Sequence, residues 1–342
     1  MLTDSSPPRV FSGIQPTGAG HIGNLLGAVK HWVALQESYA TFYCVVDLHA
    51  MTLPWDPAEL RRNTMIKAAE LLACGVDPDR AVLFVQSHVP AHSELAWMLT
   101  CLARMGELRR MTQYKEKSSK EGESVGAGVF IYPTLMAADI LLYDTNLVPV
   151  GDDQRQHVEL TRDLAGRFNS LLGETFVLPE PMVPKAGARI MALDDPTQKM
   201  SKSAGRPMAS LDLVDPPDAI SKKLRAAVTD SGREVRAGED KPALSNLLTI
   251  FSLLEGVPIG ELEDRFASSG YGDFKRDLIE IVTEKLSPIR ERYSELMDDQ
   301  GQFDELLAGG AERAAAEAER TLTRVRERVG LLESRVKSGA PS

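Results

Sequence analysis

The chain has 342 residues, 49 acidic and 39 basic side chains, a formal net charge of −10 and 43% hydrophobic content. That length accommodates a catalytic domain with a smaller second one, and the composition is that of an ordinary globular protein. No apolar run approaches the roughly 20 residues a bilayer requires, and the acidic balance excludes a general nucleic-acid coat, though not a local basic face for RNA.

Residues 1–9 read as a disordered lead-in without a basic-then-apolar leader, so a cytoplasmic location is expected. Val10-Phe11-Ser12-Gly13-Ile14 is a short strand that runs through Gln15-Pro16-Thr17 into Gly18-Ala19-Gly20-His21-Ile22-Gly23-Asn24 and then an apolar run at helical spacing. A strand, a tight turn and a helix N-terminus present free backbone N–H groups, which suit a phosphate. Two readings stay open on this stretch. Gly18, Gly20 and Gly23 fit the dinucleotide G-x-G-x-x-G, with Asp47 near the place of a ribose-binding acid. Gly20-His21-Ile22-Gly23-Asn24 is also similar to the H-I-G-H signature of class I aminoacyl-tRNA synthetases.

Thr41 to Asp47 is a second, fully buried strand. Asp56-Pro57-Ala58-Glu59 caps a helix that ends at Ala73-Cys74-Gly75. Ala81 to Gln86 is a third strand, so the order predicts a doubly wound parallel sheet. A helical insertion follows over about 92–145. It includes an apolar helix from Tyr132-Pro133 through Tyr143. Leu147 to Gly151 is another strand that leads into a helix to Phe168, at whose start Asp153 and Gln156 fit a capping box. Residues from Ala186 to about Leu211 read as loop, and the chain is largely helical from Pro216. The last helix is expected over Ala311 to Val329. These features divide the chain into a catalytic domain over 10–205, a helical domain over 206–333 and a flexible tail over 334–342. Cys44, Cys74 and Cys101 suggest buried reduced thiols, and neither a disulfide framework nor a metal site.

Lys199-Met200-Ser201-Lys202-Ser203 lies in the loop region. Two lysines three apart among small hydroxyl residues make an anion clamp able to follow the charge of a transferring phosphoryl group. Alone, such a pair is more often a solvated surface, as His21 is more often a cap and Lys117 an exposed lysine. The string matches K-M-S-K-S, the second class I signature, in the right order after the first. The dinucleotide reading predicts no such loop and is set aside.

With both signatures placed, the chain closely resembles the bacterial tryptophanyl-tRNA synthetases. The matches include Phe11 to Gly18, Met111-Thr112-Gln113-Tyr114-Lys115-Glu116-Lys117, Met136-Ala137-Ala138-Asp139-Ile140-Leu141, Val148-Pro149-Val150-Gly151-Asp152-Asp153-Gln154 and Ser245-Asn246-Leu247-Leu248. The resemblance implies a Rossmann-type doubly wound α/β fold with a helical insertion and an α-helical C-terminal domain. It implies activation of L-tryptophan by ATP, with Mg²⁺ carried on the phosphates and no structural metal, followed by transfer to tRNA(Trp). A homodimer is implied, and neither DNA nor a membrane as partner.

Residue by residue, the resemblance implies catalytic roles for His21, Asn24, Lys117, Lys199 and Lys202. It implies ATP contacts at Gln15, Pro16, Thr17, Gly23, Asn24, Gly151, Asp152, Asp153, Ile190, Lys199, Met200, Ser201, Lys202 and Ser203. Tryptophan would be held by Asp139, Phe11, Gln15, His49, Tyr132, Met136, Val148, Val150 and Gln154. Asp139 is the specificity residue: a carboxylate in an apolar helix needs a partner, and the indole N–H would supply it. Tyrosyl-tRNA synthetase is the nearest alternative, and a non-charging paralogue that binds tryptophan or RNA is another. Arg313, Arg320, Arg324, Arg326 and Arg328 are candidate phosphate contacts or simply a solvated helix face.

Overall fold

Each β-rich run of the sequence becomes a strand, and a fifth strand joins them. The computed structural model describes residues 7–115, 126–151, 154–182, 189–201 and 206–332. Its five strands are β1 (Arg9–Ile14), β2 (Ala40–Val45), β3 (Ala81–Val85), β4 (Leu147–Pro149) and β5 (Glu180–Met182). All neighbouring pairs are parallel, in the order β3-β2-β1-β4-β5. The strand β5 escaped sequence reading because it is three residues long and holds Pro181, a residue that sheets accept at an edge, where no ladder donor is required.

Helices cover both faces, which is why β2 reads as an unbroken apolar run. Tyr43, Val45, Leu83 and Val85 enter one core, while Phe42, Cys44 and Phe84 enter the other. Helical residues 22–35 (α1) follow β1 and include a π-helical stretch, Leu25–Val29. After β2 come α2 (Asp47–Ala50) and α3 (Pro57–Ala73). Asp56 caps α3 through Glu59 N–H at 2.9 Å, with Pro57 at the first position, and Gly75 closes it at φ +105°. The capping pattern and the glycine stop were both legible.

The insertion contains α4 (Ala91–Leu102), α5 (Met105–Arg109) and α6 (Ala127–Leu141). α6 begins at Ala127 instead of Tyr132, with Pro133 inside it. Burial of Val129, Pro133 and Thr134 outweighs the hydrogen bond that proline cannot make, and Thr134 Oγ1 meets Thr100 Oγ1 of α4 at 2.6 Å. α7 (Arg155–Leu172) follows β4. Gln156 Oε1 accepts from the amide and hydroxyl of Thr112 and its Nε2 donates to the carbonyl of Arg110, while Asp153, the other half of the expected capping box, lies outside the described residues. Of the cysteines, Cys44 is buried as expected, Cys74 half-buried and Cys101 exposed on α4, a correction to the thiol reading.

The remainder is helical, comprising α8 (Pro217–Ala226), α9 (Pro242–Glu255), α10 (Ile259–Arg265), α11 (Tyr271–Asp298) and α12 (Gln300–Val329). The last helix starts eleven residues before the expected Ala311, capped by Asp299 through Gln302 N–H at 3.0 Å. Gly309 and Gly310, poor helix formers, lie inside it. A Cβ on Gly310 would lie 1.8 Å from the carbonyl oxygen of Leu83, so glycine lets α12 lie directly on β3. Ala314, Ala318, Leu322 and Val325 join the core of Phe84, Leu95 and Leu99, so the helices after residue 206 share their cores with the sheet. Four of the five arginines of α12 are tied down intramolecularly: Arg313 to the carbonyls of Pro78 and Ala81, Arg320 to Glu317, Arg324 to Asp144 and Arg326 to Glu94. Among the described residues no single helix is long and apolar enough to cross a membrane.

Candidate active site at the switch between β1 and β4

A doubly wound parallel sheet opens a crevice where the strand order reverses, at the carboxyl ends of the strands. Here that point lies between β1 and β4. A cavity of about 350 Å³ occupies it, lined by Phe11, Ser12, Gly13 and Gln15 from β1 and beyond, and by Val148, Pro149, Val150, Gly151 and Gln154 from β4 and beyond. His49 of α2 and Tyr132, Met136, Asp139 and Ile140 of α6 complete most of the wall. The nine residues expected around an amino acid thus share one cavity.

Asp139 is 1% exposed. Its Oδ1 accepts from Gln86 Nε2 at 2.7 Å and from His92 Nδ1 at 2.6 Å, and its Oδ2 from His49 Nε2 at 2.7 Å. Burial by itself would push the carboxyl up. Contacts with His49 and then His92 outweigh it and hold the group at about 2. Asp139 is therefore an ionised acceptor already held by three donors. The partners that a carboxylate in an apolar helix needs are thus supplied by Gln86, His92 and His49 of the chain itself. Gln86, His92, Gly13 and Val46 were missed by sequence reading. A histidine in an apolar helix looks no different from any satisfied core histidine until its partner across the fold is known.

The glycine-rich turn lies beside this cavity. Pro16 is buried, Gln15 and Thr17 are exposed, and Gly18 adopts φ +90°. The backbone amide of His21 donates to Asn24 Oδ1 at 3.0 Å, so Asn24 fixes the start of α1. Gly23 has to be small, because a Cβ there would lie 2.9 Å from His21 Nδ1 and 3.5 Å from Ile190 Cβ. Behind the turn, Gly20 N–H donates to Glu70 Oε1 at 2.6 Å. Asp47, the acid a dinucleotide site would use, instead accepts the amides of Ser87 and Leu48.

The lysine loop is less free than its composition suggested. Met191 and Lys199 pair as an antiparallel bridge, Ala192 N–H donates to Gln198 O, and Met200 N–H donates to Ile190 O. Asn246 of α9 clasps both backbone groups of Met191, at 2.8 and 2.9 Å. Met200 is 1% exposed, whereas the Lys199 side chain is exposed and Ser201 half-buried. The stretch after the loop is zipped to the first turn: Ile22 N–H donates to Leu211 O at 2.8 Å and Leu213 N–H to Gly20 O at 3.1 Å. Lys117, Asp152, Asp153, Lys202 and Ser203 lie outside the described residues.

A nucleotide-type sheet whose first helix start is zipped to the stretch that follows a lysine hairpin has the organisation of a class I aminoacyl-tRNA synthetase. The chain belongs to the family described as tRNA synthetases class I (W and Y), which matches residues 3–287. It is 54% identical over 334 residues to tryptophan–tRNA ligase 2 of Streptomyces avermitilis, covering 97% of this chain and 99% of that one. It is 55% identical over 325 residues to tryptophan–tRNA ligase of Caldanaerobacter subterraneus subsp. tengcongensis, covering 95% and 98%. Among solved structures, it is similar to tryptophanyl-tRNA synthetase from Campylobacter jejuni complexed with ADP and tryptophan, at 38% identity and a TM-score of 0.83 over 94% of this chain and all of that one.

Proposed function

We propose that the chain is an ATP-dependent tryptophan–tRNA ligase. The observation that carries this reading is the ionised carboxylate of Asp139 at the wall of an otherwise largely apolar cavity. Apolar walls suit an indole ring, and the carboxylate accepts its N–H. A ligand lacking that donor leaves a buried charge less satisfied, which can cost roughly 10⁴-fold in selectivity. The relatives named as tryptophan–tRNA ligases, and the Campylobacter enzyme with tryptophan and ADP, support the same substrates here.

In the first step an oxygen of the tryptophan carboxylate attacks the α-phosphorus of ATP in line. The new P–O bond forms as the bond to the β-phosphate oxygen breaks, giving tryptophanyl-adenylate and pyrophosphate. Gln15 and Gly151 stand where amino acid and nucleotide would meet. His21 and Asn24, with Pro16, Thr17 and Gly23, form the turn that receives the phosphates, and Asp152 and Asp153 would meet the ribose. Lys199, with Lys117 and Lys202, would neutralise charge that moves onto the leaving pyrophosphate; Mg²⁺ would arrive on those phosphates as part of the substrate. In the second step a ribose hydroxyl of the terminal adenosine of tRNA(Trp) attacks the carbonyl of the adenylate and AMP leaves. Neither step needs a covalent nucleophile from the protein.

The reading extends to a cytoplasmic homodimer whose helical region contacts tRNA. Exposed apolar side chains on the insertion, Trp97 and Met105 with Ile131 on α6, support a subunit contact there. The test of the chemistry is ATP–pyrophosphate exchange with each amino acid in turn. Exchange should depend on tryptophan and collapse in Asp139→Ala; tyrosine-dependent exchange would refute the assignment.

A further inference from the structure

The donors to Asp139 divide into two groups. His49 lines the cavity, whereas Gln86 and His92 reach the carboxylate without lining it and are both fully buried. The two rear donors occupy Oδ1. A carboxylate oxygen accepts about two hydrogen bonds, so Oδ1 is saturated, while among the described residues Oδ2 takes only the His49 contact.

The rear donors are themselves fixed. Gln86 Oε1 accepts the amide of Leu48 at 3.2 Å, which sets the orientation of its amide group, with Nε2 on Asp139. His92 Nε2 lies 2.7 Å from the hydroxyl of Tyr143. An imidazole that donates from Nδ1 to a carboxylate has an acceptor at Nε2 when neutral, and the tyrosine O–H donates to it. Tyr143 is 0% exposed, with its ring stacked on Phe42 at 4.7 Å and on Phe11 at 5.7 Å. Phe11 is also part of the cavity wall.

We infer that Tyr143 and His92 are positioning residues for tryptophan recognition: the tyrosine hydroxyl holds the His92 tautomer, and His92 with Gln86 holds Oδ1 so that Oδ2 alone is presented to the indole N–H. The inference rests on the proposed function and adds to it two residues that do not touch the substrate. They act on one step only, the reading of a single N–H. Binding of the rest of the amino acid, and the attack on phosphorus, do not pass through them.

The test compares tryptophan with 3-benzothienylalanine, in which sulfur replaces the indole N–H, by ATP–pyrophosphate exchange. Tyr143→Phe keeps the stacked ring and removes the hydroxyl. It should raise KM for tryptophan roughly 10-fold with kcat little changed, and leave KM for the sulfur analogue where it was, so that discrimination falls by about the same factor. His92→Leu should lose more, and His92→Asn, whose amide can donate near the Nδ1 position, should recover part of the loss. Should His92→Leu fail to fold, Tyr143→Phe with an unchanged melting temperature carries the test. Unchanged discrimination in Tyr143→Phe, or equal losses for both amino acids, overturns the inference. Failure of the wild-type enzyme to respond to tryptophan at all would instead overturn the proposed function.

Discussion

The carboxylate of Glu70 accepts the amide of Gly20 at 2.6 Å, fifty residues away in the chain. The same carboxylate holds the ammonium of Lys67 at 2.7 Å, and both side chains are buried. A Cβ on Gly20 would lie 2.9 Å from Glu70 Oε2, so the turn is pressed against this pair. Helix α3 thereby sets the position of the helix start expected to receive phosphates. Removing Glu70 alone would strand a buried cation, at a cost of about 3–5 kcal/mol. The double variant Lys67→Met, Glu70→Ala avoids that. It should fold and show KM for ATP raised roughly 10-fold or more through a misplaced turn, with tryptophan affinity unchanged, as measured by exchange kinetics and fluorescence titration.

The lysine hairpin depends on Asn246. Replacing Asn246 by Ala leaves the N–H and C=O of Met191 without the partners that hold them. The expected cost is about 1–3 kcal/mol. Thermal melting should show that loss, and limited proteolysis should show faster cleavage at Lys199. Unchanged cleavage would mean that other contacts suffice to hold the hairpin.

The Asp139 carboxyl has a definite pH signature. Its folded value of about 2 lies below the roughly 3.9 of an unfolded aspartate. Between those values the unfolded chain binds more protons. The contribution, about 3 kcal/mol, is therefore complete above about pH 5 and is lost as pH falls through about 2. Asp139→Asn should flatten that part of the stability curve in urea titrations between pH 4 and 2.

Helix α12 is fastened to the face of the sheet that α4 and α6 cover. Arg326 grips Glu94 of α4 through two nitrogens at 2.7 Å, and Arg324 holds Asp144, a residue at φ +48°, beyond α6. The hydrogen bond from Arg326 is the main cause that lowers the Glu94 carboxyl. These groups are partly exposed, so the double variant Arg324→Ala, Arg326→Ala should cost only about 1–2 kcal/mol. Hydrogen exchange should rise along 311–329 before it rises in β1 or β2.

Much of this was legible because the informative signals are local. The Asp56 cap, the glycine stop at Gly75 and the apolar runs of β1, β2 and β3 each depend on a few adjacent residues. The candidate amino-acid cavity was legible through resemblance, since Phe11, Asp139 and Val148 stand in recognisable strings. What stayed hidden depends on distant partners. Nothing near Gly310 announces the Leu83 carbonyl, nothing near Glu70 announces Gly20, and His92 gains its role only when folding sets it between Asp139 and Tyr143. The β5 edge and the early start of α6 were concealed by Pro181 and Pro133, where tertiary packing overrides local preference.

The most direct test is aminoacylation of total tRNA by the full chain with ATP and each of the standard amino acids separately. A stable, acid-precipitable charge should appear with tryptophan, and only with tryptophan, and should disappear in Asp139→Ala. Charging with tyrosine, or tryptophan-dependent pyrophosphate exchange without any charged tRNA, would contradict the account.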